Sequence, residues 1–314
     1  MSGVTGPFDG IITVLKAPGI TSHGVVARLR RLLGIRQIGH GGTLDPGAAG
    51  VLPILVGRAT KLMPYLMAHP KTYRAEMTLG IVTDTQDASG RTVRVAADFR
   101  AKPTALADAI VPFLGTIEQV PPMTSAIRQE GRRLYELARA GESVERAPRR
   151  VHIHSVHVVA VWPTGSEALV AGTRVLLEIT CSKGTYVRTL CHDIGERLGC
   201  GAHMSFLVRT AVGPFTLAES RSLEELEEAV AAGRLEECVR PPADALTHMP
   251  RIQVDAAEAA RLRRGEARPV DPARLKGAAG GLVAAIEAGR GLVCIARLVP
   301  GEKGTHLQPV RVLS

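Results

Sequence analysis

Residues 39–62 are dense in glycine and carry a single acidic residue, Asp45, which is followed by Pro46. Glycine adopts backbone angles that are closed to other residues, and a residue before proline is pushed out of the α region. The loop therefore has a defined shape, and it leads into an apolar run, residues 51–56, that predicts a buried strand. It is either an ordinary Asp-Pro turn or a scaffold that presents the Asp45 carboxylate for chemistry.

Strand patterns recur along the chain. Apolar runs or strict alternation predict strands at residues 11–15, 73–79 and 173–181. Alternate side chains of a strand point to opposite faces, so Tyr73 should lie on the inward side, together with the other apolar residues of its strand.

Helix patterns alternate with these strands. Ser22 is a candidate cap for one helix, and residues 59–67, which include Lys61, predict a second. A third predicted helix carries Arg188 in its first turn, and a capping box at Ser222 predicts a fourth. This mixture of elements favours an α+β fold.

The charge of the chain favours a polyanionic partner. The 314 residues carry a formal charge of +9, and clustered lysine and arginine attract phosphates. Aromatic residues make up only 3% of the chain, which argues for backbone contacts over broad base-stacking platforms. Residues 129–150 are rich in arginine and lack lysine, so they form either an exposed charged helix or a phosphate grip.

The cysteines exclude a disulfide framework, because they are sparse and odd in number. Zinc-ligand residue types occur close together at Cys191, His192, Cys200 and His203, but no paired C-x-x-C knuckles occur, so we expect buried thiols and no metal site. No secretion signal or membrane-length apolar segment is present, and we expect a cytoplasmic protein.

Five ordered blocks carry a family resemblance: LKAPGITSH at 15–23, GHGGTLDPGAAGVLP with ATK at 39–61, KTY at 71–73, QVPPM through LYELAR at 119–139, and SKGTYVRTL with GCGAH at 182–203. Together they resemble the TruB family of tRNA pseudouridine synthases. Three residues depart from the family pattern, since Leu15 replaces Asp, Ala17 replaces Pro and Gly41 replaces Thr.

The resemblance implies an architecture. It predicts the pseudouridine synthase fold, with a mixed central β-sheet, in a catalytic domain at residues 1–248. An RNA-binding insertion, or thumb, is expected at about 116–150. Prolines near residue 250 suggest a linker, and residues 249–314 look like a small, mainly β, PUA-like RNA-binding domain.

The resemblance also assigns catalytic roles. Asp45 would be the carboxylate that is essential for breaking the C1′–N1 glycosidic bond. Arg188 would keep that carboxylate ionised, because a nearby guanidinium favours the charged form. Tyr73 would stack on the extruded uracil.

Binding roles follow in the same way. His40 would contact or replace the flipped nucleotide, Tyr186 would support the pocket, and Leu207 would close it. Lys16 and Lys61 are either phosphate contacts or solvated lysines.

The implied activity is isomerisation of the T-loop uridine at position 55 of tRNA, on a base flipped into a pocket. The T-arm stem-loop is the expected partner, and we expect a monomer without a metal or small-molecule cofactor. Two alternatives stay open at this point: a non-catalytic RNA-folding chaperone and a carboxylate-dependent nucleoside hydrolase. The mode of attack by Asp45, whether on C1′, on C6 or on a ribose proton, is also open.

Overall fold

A computed structural model describes residues 8–125, 127–129, 131–142, 144–271, 274, 281–301 and 304–313. The α-helices in these ranges are α1 Ser22–Leu33, α2 Met63–Leu66, α3 Thr104–Ile110, α4 Leu134–Arg139, α5 Val187–Arg197, α6 Leu223–Ala231 and α7 Ala256–Arg263. The strands are β1 Gly10–Lys16, β2 Ile38–His40, β3 Ala49–Val56, β4 Lys71–Leu79, β5 Ile81–Thr83, β6 Thr92–Val95, β7 Arg100–Ala101, β8 Gly115–Gln119, β9 Arg128–Gln129, β10 Arg132–Arg133, β11 Arg149–Trp162, β12 Leu169–Val170, β13 Arg174–Cys181, β14 Ala202–Val212, β15 Phe215–Thr216, β16 Val239–Arg240, β17 Arg251–Val254, β18 Arg268–Pro269, β19 Leu282–Glu287, β20 Gly291–Gly301 and β21 Gly304–Val312.

The described residues form two compact units. The first contains the chain up to Asp45, residues 51–69 and the chain from Val212 onward. The second contains residues 46–50 and 70–211. The combination of helices with mixed sheets confirms the predicted α+β fold.

In the first unit, β1 lies between β16 and β3, and β2 pairs antiparallel with β3. The apolar sides of β1, β3, α1 and α6 bury one core, to which Ile12, Val14, Val25, Val26, Leu29, Ile38, Leu52, Ile54, Val56, Leu223 and Leu226 belong. The predicted strand at 51–56 is therefore confirmed as buried.

The start of α1 differs from the prediction. Thr21 caps this helix, because its hydroxyl accepts a hydrogen bond from the N–H of Gly24 at 2.9 Å. The prediction that Ser22 is the cap is wrong, since Ser22 is already the first helical residue and its side chain is buried. The capping box predicted at Ser222 is confirmed, with Glu225 as its reciprocal partner.

The helix predicted at residues 59–67 is also corrected. A 3₁₀ helix spans Gly57–Leu62, and only one α-helical turn, α2, follows it. Proline has no N–H to donate and is tolerated in the first helical turn, so Pro64 suits a new α-helical start and not a helix interior.

The C-terminal sheet of the first unit has the strand order β17-β19-β20-β21-β18. Its residues Ala284 and Ile295 share a core with Ile11, Val51 and Leu246. Side chains that precede residue 248 in the chain thus pack against side chains that follow it. The domain boundary predicted at residue 248 stays a prediction.

In the second unit, the strand order is β14-β4-β13-β11-β8, and β13 pairs antiparallel with both β4 and β11. Residues 49–50 of β3 pair in parallel with β14, which makes the sheet mixed. Gly50 has φ +113°, and a Cβ there would lie 2.1 Å from the carbonyl oxygen of Arg209. Only glycine permits this close approach of the two strands.

Candidate active site

The loop before Asp45 is anchored within the first unit. The Ser22 hydroxyl donates to the carbonyl oxygen of Leu44 at 3.1 Å, and the Leu44 N–H donates back to that hydroxyl at 2.9 Å. The Gly41 N–H donates to the carbonyl oxygen of Pro53 at 2.8 Å. The backbone that leads into Asp45 is therefore fixed to the start of α1 and to β3, so the carboxylate projects from a constrained position and not from a loose turn.

The Gly41 departure from the family pattern has a packing consequence. A Cβ at Gly41 would lie 2.6 Å from Cδ2 of Leu66. The Leu66 side chain thus occupies space that a larger residue at position 41 would need.

His40 lies at the end of β2, opposite Ile54 of β3. Its Nδ1 accepts a long hydrogen bond of 3.4 Å from the N–H of Gly42, a residue with φ +133°. The imidazole is thereby oriented by its own loop. The predicted contact of His40 with a flipped nucleotide stays a prediction.

The two candidate lysines of the first unit each bond a backbone carbonyl oxygen. The Lys16 side chain is 0% exposed, and its ammonium donates to the carbonyl oxygen of Ala17 at 3.0 Å. The ammonium of Lys61 donates to the carbonyl oxygen of Val312 at 3.0 Å. The full burial of Lys16 contradicts its alternative role as a solvated lysine, whereas Lys61 is half-buried, and the phosphate contacts of both lysines stay predictions.

Tyr73 and Leu207 lie on neighbouring strands of the second unit, β4 and β14. Both side chains are buried, at 9% and 7% exposure. Tyr73 faces the same side of β4 as Ala75 and Met77, which confirms the predicted alternation. The roles of Tyr73 and Leu207 toward a uracil stay predictions.

Arg188 lies in the first turn of α5, as predicted, and is 4% exposed. Its Nη1 forms an ion pair with Oδ2 of Asp87 at 3.2 Å and donates to the hydroxyl of Thr124 at 2.8 Å. Its Nη2 donates to the carbonyl oxygen of Thr124 at 3.3 Å. The guanidinium is thus held in one orientation, and its predicted pairing with Asp45 stays a prediction.

Tyr186 precedes α5, and a buried amide clamps its backbone. The side chain of Gln119 donates to the Tyr186 carbonyl oxygen at 3.0 Å and accepts from the Tyr186 N–H at 2.8 Å. The guanidinium carbon of Arg188 lies 6.0 Å from the centre of the Tyr186 ring. Tyr186 and Arg188 are therefore brought together at one end of α5.

A buried cation lies two residues from each of Tyr73 and Leu207 on the same strand, namely Lys71 on β4 and Arg209 on β14. Lys71 is 5% exposed and Arg209 is 1% exposed. Burial, followed by the positive charge of Arg209, lowers the pKa of Lys71 from 10.5 to about 8, while Cys181 acts in the opposite direction. Such a perturbed group near candidate site residues is typical of a functional site.

Sequence reasoning missed several of these residues, namely Asp87, Thr124, Gln119, Lys71 and Arg209. Asp87 lies between β5 and β6 and holds Arg188 from a position 101 residues earlier in the chain. Strand alternation could have placed Lys71 beside Tyr73, because residues i and i+2 share a face.

Each unit offers distinct chemistry. The first presents a carboxylate on an anchored loop, suited to nucleophilic or acid–base work. The second presents a fixed guanidinium and buried positive charge, suited to stabilising negative charge. Among the described residues, no cluster of three or more His, Cys, Asp or Glu side chains could hold a metal ion. No helix in the described part of the chain is both long and apolar enough to cross a membrane.

Comparison with known proteins places these residues in a family context. The family described as "TruB family pseudouridylate synthase (N terminal domain)" matches residues 30–187, and "tRNA pseudouridylate synthase B C-terminal domain" matches residues 188–247. The tRNA pseudouridine synthase B of Moorella thermoacetica is 47% identical over 97% of this chain and 99% of that protein. The protein of the same name from Symbiobacterium thermophilum is 51% identical over 83% of this chain and 84% of that protein.

Solved structures share the fold. A Cbf5-Nop10-Gar1 complex contains a chain with a TM-score of 0.72 and 26% identity, covering 97% of this chain and 85% of that chain. A chain in an H/ACA RNP bound to a substrate RNA that contains 2′-deoxyuridine has a TM-score of 0.71 at 24% identity, with the same coverage.

Proposed function

This chain belongs to the TruB family of tRNA pseudouridine synthases, and from that premise we propose that it converts the T-loop uridine at position 55 of tRNA to pseudouridine. The observation that carries the activity is the 47% identity, over nearly the whole of both chains, to a relative named tRNA pseudouridine synthase B. The choice of the T-arm stem-loop and of position 55 rests on the family assignment, which implies this target.

The reaction is an isomerisation, so its atoms and electrons balance without a co-substrate. The C1′–N1 bond breaks, the base rotates, and a C1′–C5 bond forms. The proton on C5 is lost, and N1 gains one. The enzyme must therefore extract the uridine from its stack, stabilise the separated base and ribose, and hold both until they rejoin.

We assign the central step to Asp45, on its anchored loop. Its carboxylate must be ionised, and a guanidinium held in a fixed orientation, such as that of Arg188, favours this form. Tyr73, at the inward face of β4, would stack on the base, and the neighbouring Leu207 would close the apolar side of the pocket. His40 would take part in displacing the base.

RNA binding would involve the insertion at 116–150 and the C-terminal residues 249–314, in addition to a catalytic domain that ends near 248. The net charge of +9 supports a polyanionic partner. We further propose that the protein acts as a monomer in the cytoplasm. Light scattering during size-exclusion chromatography, with and without the stem-loop, tests whether the protein is a monomer.

The deciding experiment incubates an unmodified T-arm stem-loop with the wild-type protein and with Asp45→Asn. Nucleoside chromatography with mass spectrometry separates pseudouridine from uridine. Asp98→Asn is the matched control, because Asp98 is exposed. A second RNA carries cytidine in place of the target uridine.

We expect product from the wild type and from Asp98→Asn, and none from Asp45→Asn, with RNA affinity within about threefold of the wild type because asparagine is nearly isosteric. Product from the cytidine RNA would refute position 55 as the target. Tight binding without product from the wild type would favour the chaperone alternative, and release of free uracil would favour a hydrolase.

A further inference from the structure

Residues 119–124 supply hydrogen bonds to Tyr186, which precedes α5, and to Arg188 in the first turn of α5. Gln119 is 2% exposed and clamps the Tyr186 backbone through both its carbonyl and its N–H. Thr124 supplies two acceptors to the Arg188 guanidinium, its hydroxyl at 2.8 Å and its carbonyl oxygen at 3.3 Å. Residues 119–124 therefore contact both Tyr186 and Arg188, at the N-terminal end of α5.

Asp87 and Thr124, which both bond Arg188, differ in how they are held. Asp87 belongs to a turn that satisfies its own carboxylate, because Thr85 donates to Oδ1 at 2.8 Å and the Ser89 N–H donates to Oδ1 at 3.0 Å. Oδ2 is the oxygen that faces Arg188. Asp87 is thus a fixed acceptor, whereas Thr124 follows the position of its own segment.

The segment 120–124 lies inside the predicted RNA-binding insertion, close to the N-terminal end of that insertion. It follows β8, and the guanidinium of Arg146, on the returning side of the insertion, donates to the carbonyl oxygen of Pro121 at 3.0 Å. A displacement of the insertion would consequently be transmitted to Pro121 and Thr124. A charged hydrogen bond of this kind orients a planar guanidinium strongly, because its donors are arranged in a rigid fork.

We propose that Thr124 is a positioning residue, which sets the orientation of Arg188 according to the position of the RNA-binding insertion. RNA engaged by the insertion then fixes Thr124, and Thr124 aligns the guanidinium for the glycosidic-bond step. The inference rests on the proposed synthase activity, because it assigns Arg188 to that reaction.

The test separates the hydroxyl from the shape of the side chain. Thr124→Val removes the acceptor and keeps the branched shape, while Thr124→Ser keeps the hydroxyl. Thr92→Val is the matched control, since Thr92 is exposed on β6, outside the insertion and outside the proposed site. Single-turnover rates of pseudouridine formation, dissociation constants for the T-arm stem-loop and melting temperatures are measured for all four proteins.

We expect Thr124→Val to lower the single-turnover rate about tenfold to hundredfold, the range for losing a hydrogen bond to a charged group. Its dissociation constant should stay within about twofold of the wild type, and Thr124→Ser should restore most of the rate. Thr92→Val should react at the wild-type rate.

Three results would overturn the inference: an unchanged rate in Thr124→Val, a rate loss matched by an equal loss of affinity or of melting temperature, or a serine variant as slow as the valine variant. If the wild-type protein forms no product, the proposed synthase activity itself is refuted. The three results above, obtained with an active wild type, refute only the positioning role of Thr124.

Discussion

Replacing Lys71 by methionine tests the energetic cost of a buried cation in the second unit. Methionine has a similar length and shape but no charge. The pKa of Lys71 is lowered from 10.5 to about 8, chiefly by burial. At about 1.4 kcal/mol for each pH unit, the difference corresponds to roughly 3 kcal/mol of free energy that opposes folding while the ammonium is protonated.

The sign of the pH dependence follows from the proton counts. Below pH 8, Lys71 is protonated in the folded and unfolded states alike, and the unfavourable contribution is fully present. Between pH 8 and 10.5 the unfolded state binds the proton more strongly, so the unfolding free energy of the wild type rises with pH. The variant lacks this rise. The stability advantage of the variant over the wild type should shrink by roughly 2 to 3 kcal/mol between pH 7 and pH 10.

The assay is urea unfolding followed by circular dichroism at pH 7, 8, 9 and 10, for the wild type, Lys71→Met and the control Lys102→Met. Lys102 is exposed, and its replacement should leave the pH dependence unchanged. A difference between wild type and Lys71→Met that stays constant over this range would refute the reasoning, because a charge-independent packing change has no proton linkage.

Two further predictions concern a close backbone contact and the reactivity of buried thiols. Gly50→Ala should destabilise the protein by more than about 3 kcal/mol or prevent soluble expression. The new Cβ would overlap the backbone of Arg209, and residue 50 has a positive φ. A melting temperature within 2 °C (about 1 kcal/mol) of the wild type would contradict this prediction. Burial raises the pKa of Cys191 to about 12 and that of Cys181 to about 11, so a thiol reagent at pH 8 should modify the half-buried Cys238 far faster than either, as mapped by peptide mass spectrometry.

Local patterns explain which parts of the fold could be predicted. The alternation in residues 73–79 placed Tyr73 inward because a strand has a period of two, whatever its neighbours are. The capping box at Ser222 and the position of Arg188 in the first turn of α5 depend on spacings of a few residues, and both are confirmed. The cap of α1 was misplaced by one residue, since Thr21 and Ser22 are equally good caps by composition.

Lys16 and Lys61 show that local sequence patterns do not predict the surroundings of a side chain. Lys16 occupies a motif that suggests contact with solvent or phosphate, yet its side chain is fully buried. Lys61 bonds the carbonyl oxygen of Val312, 251 residues away. Neither placement follows from local spacing, because both depend on which strands and termini become neighbours.

The sequence by itself determined the family, the α+β class and the glycine-shaped loop that carries Asp45, since these depend on residue identity and on short-range periodicity. Only the tertiary structure decided what surrounds the candidate site residues: Asp87 and Thr124 on Arg188, and Arg209 beside Lys71. Those contacts join residues between 64 and 138 positions apart. Strand order and burial bring them together, and neither is encoded in the spacing of any single segment.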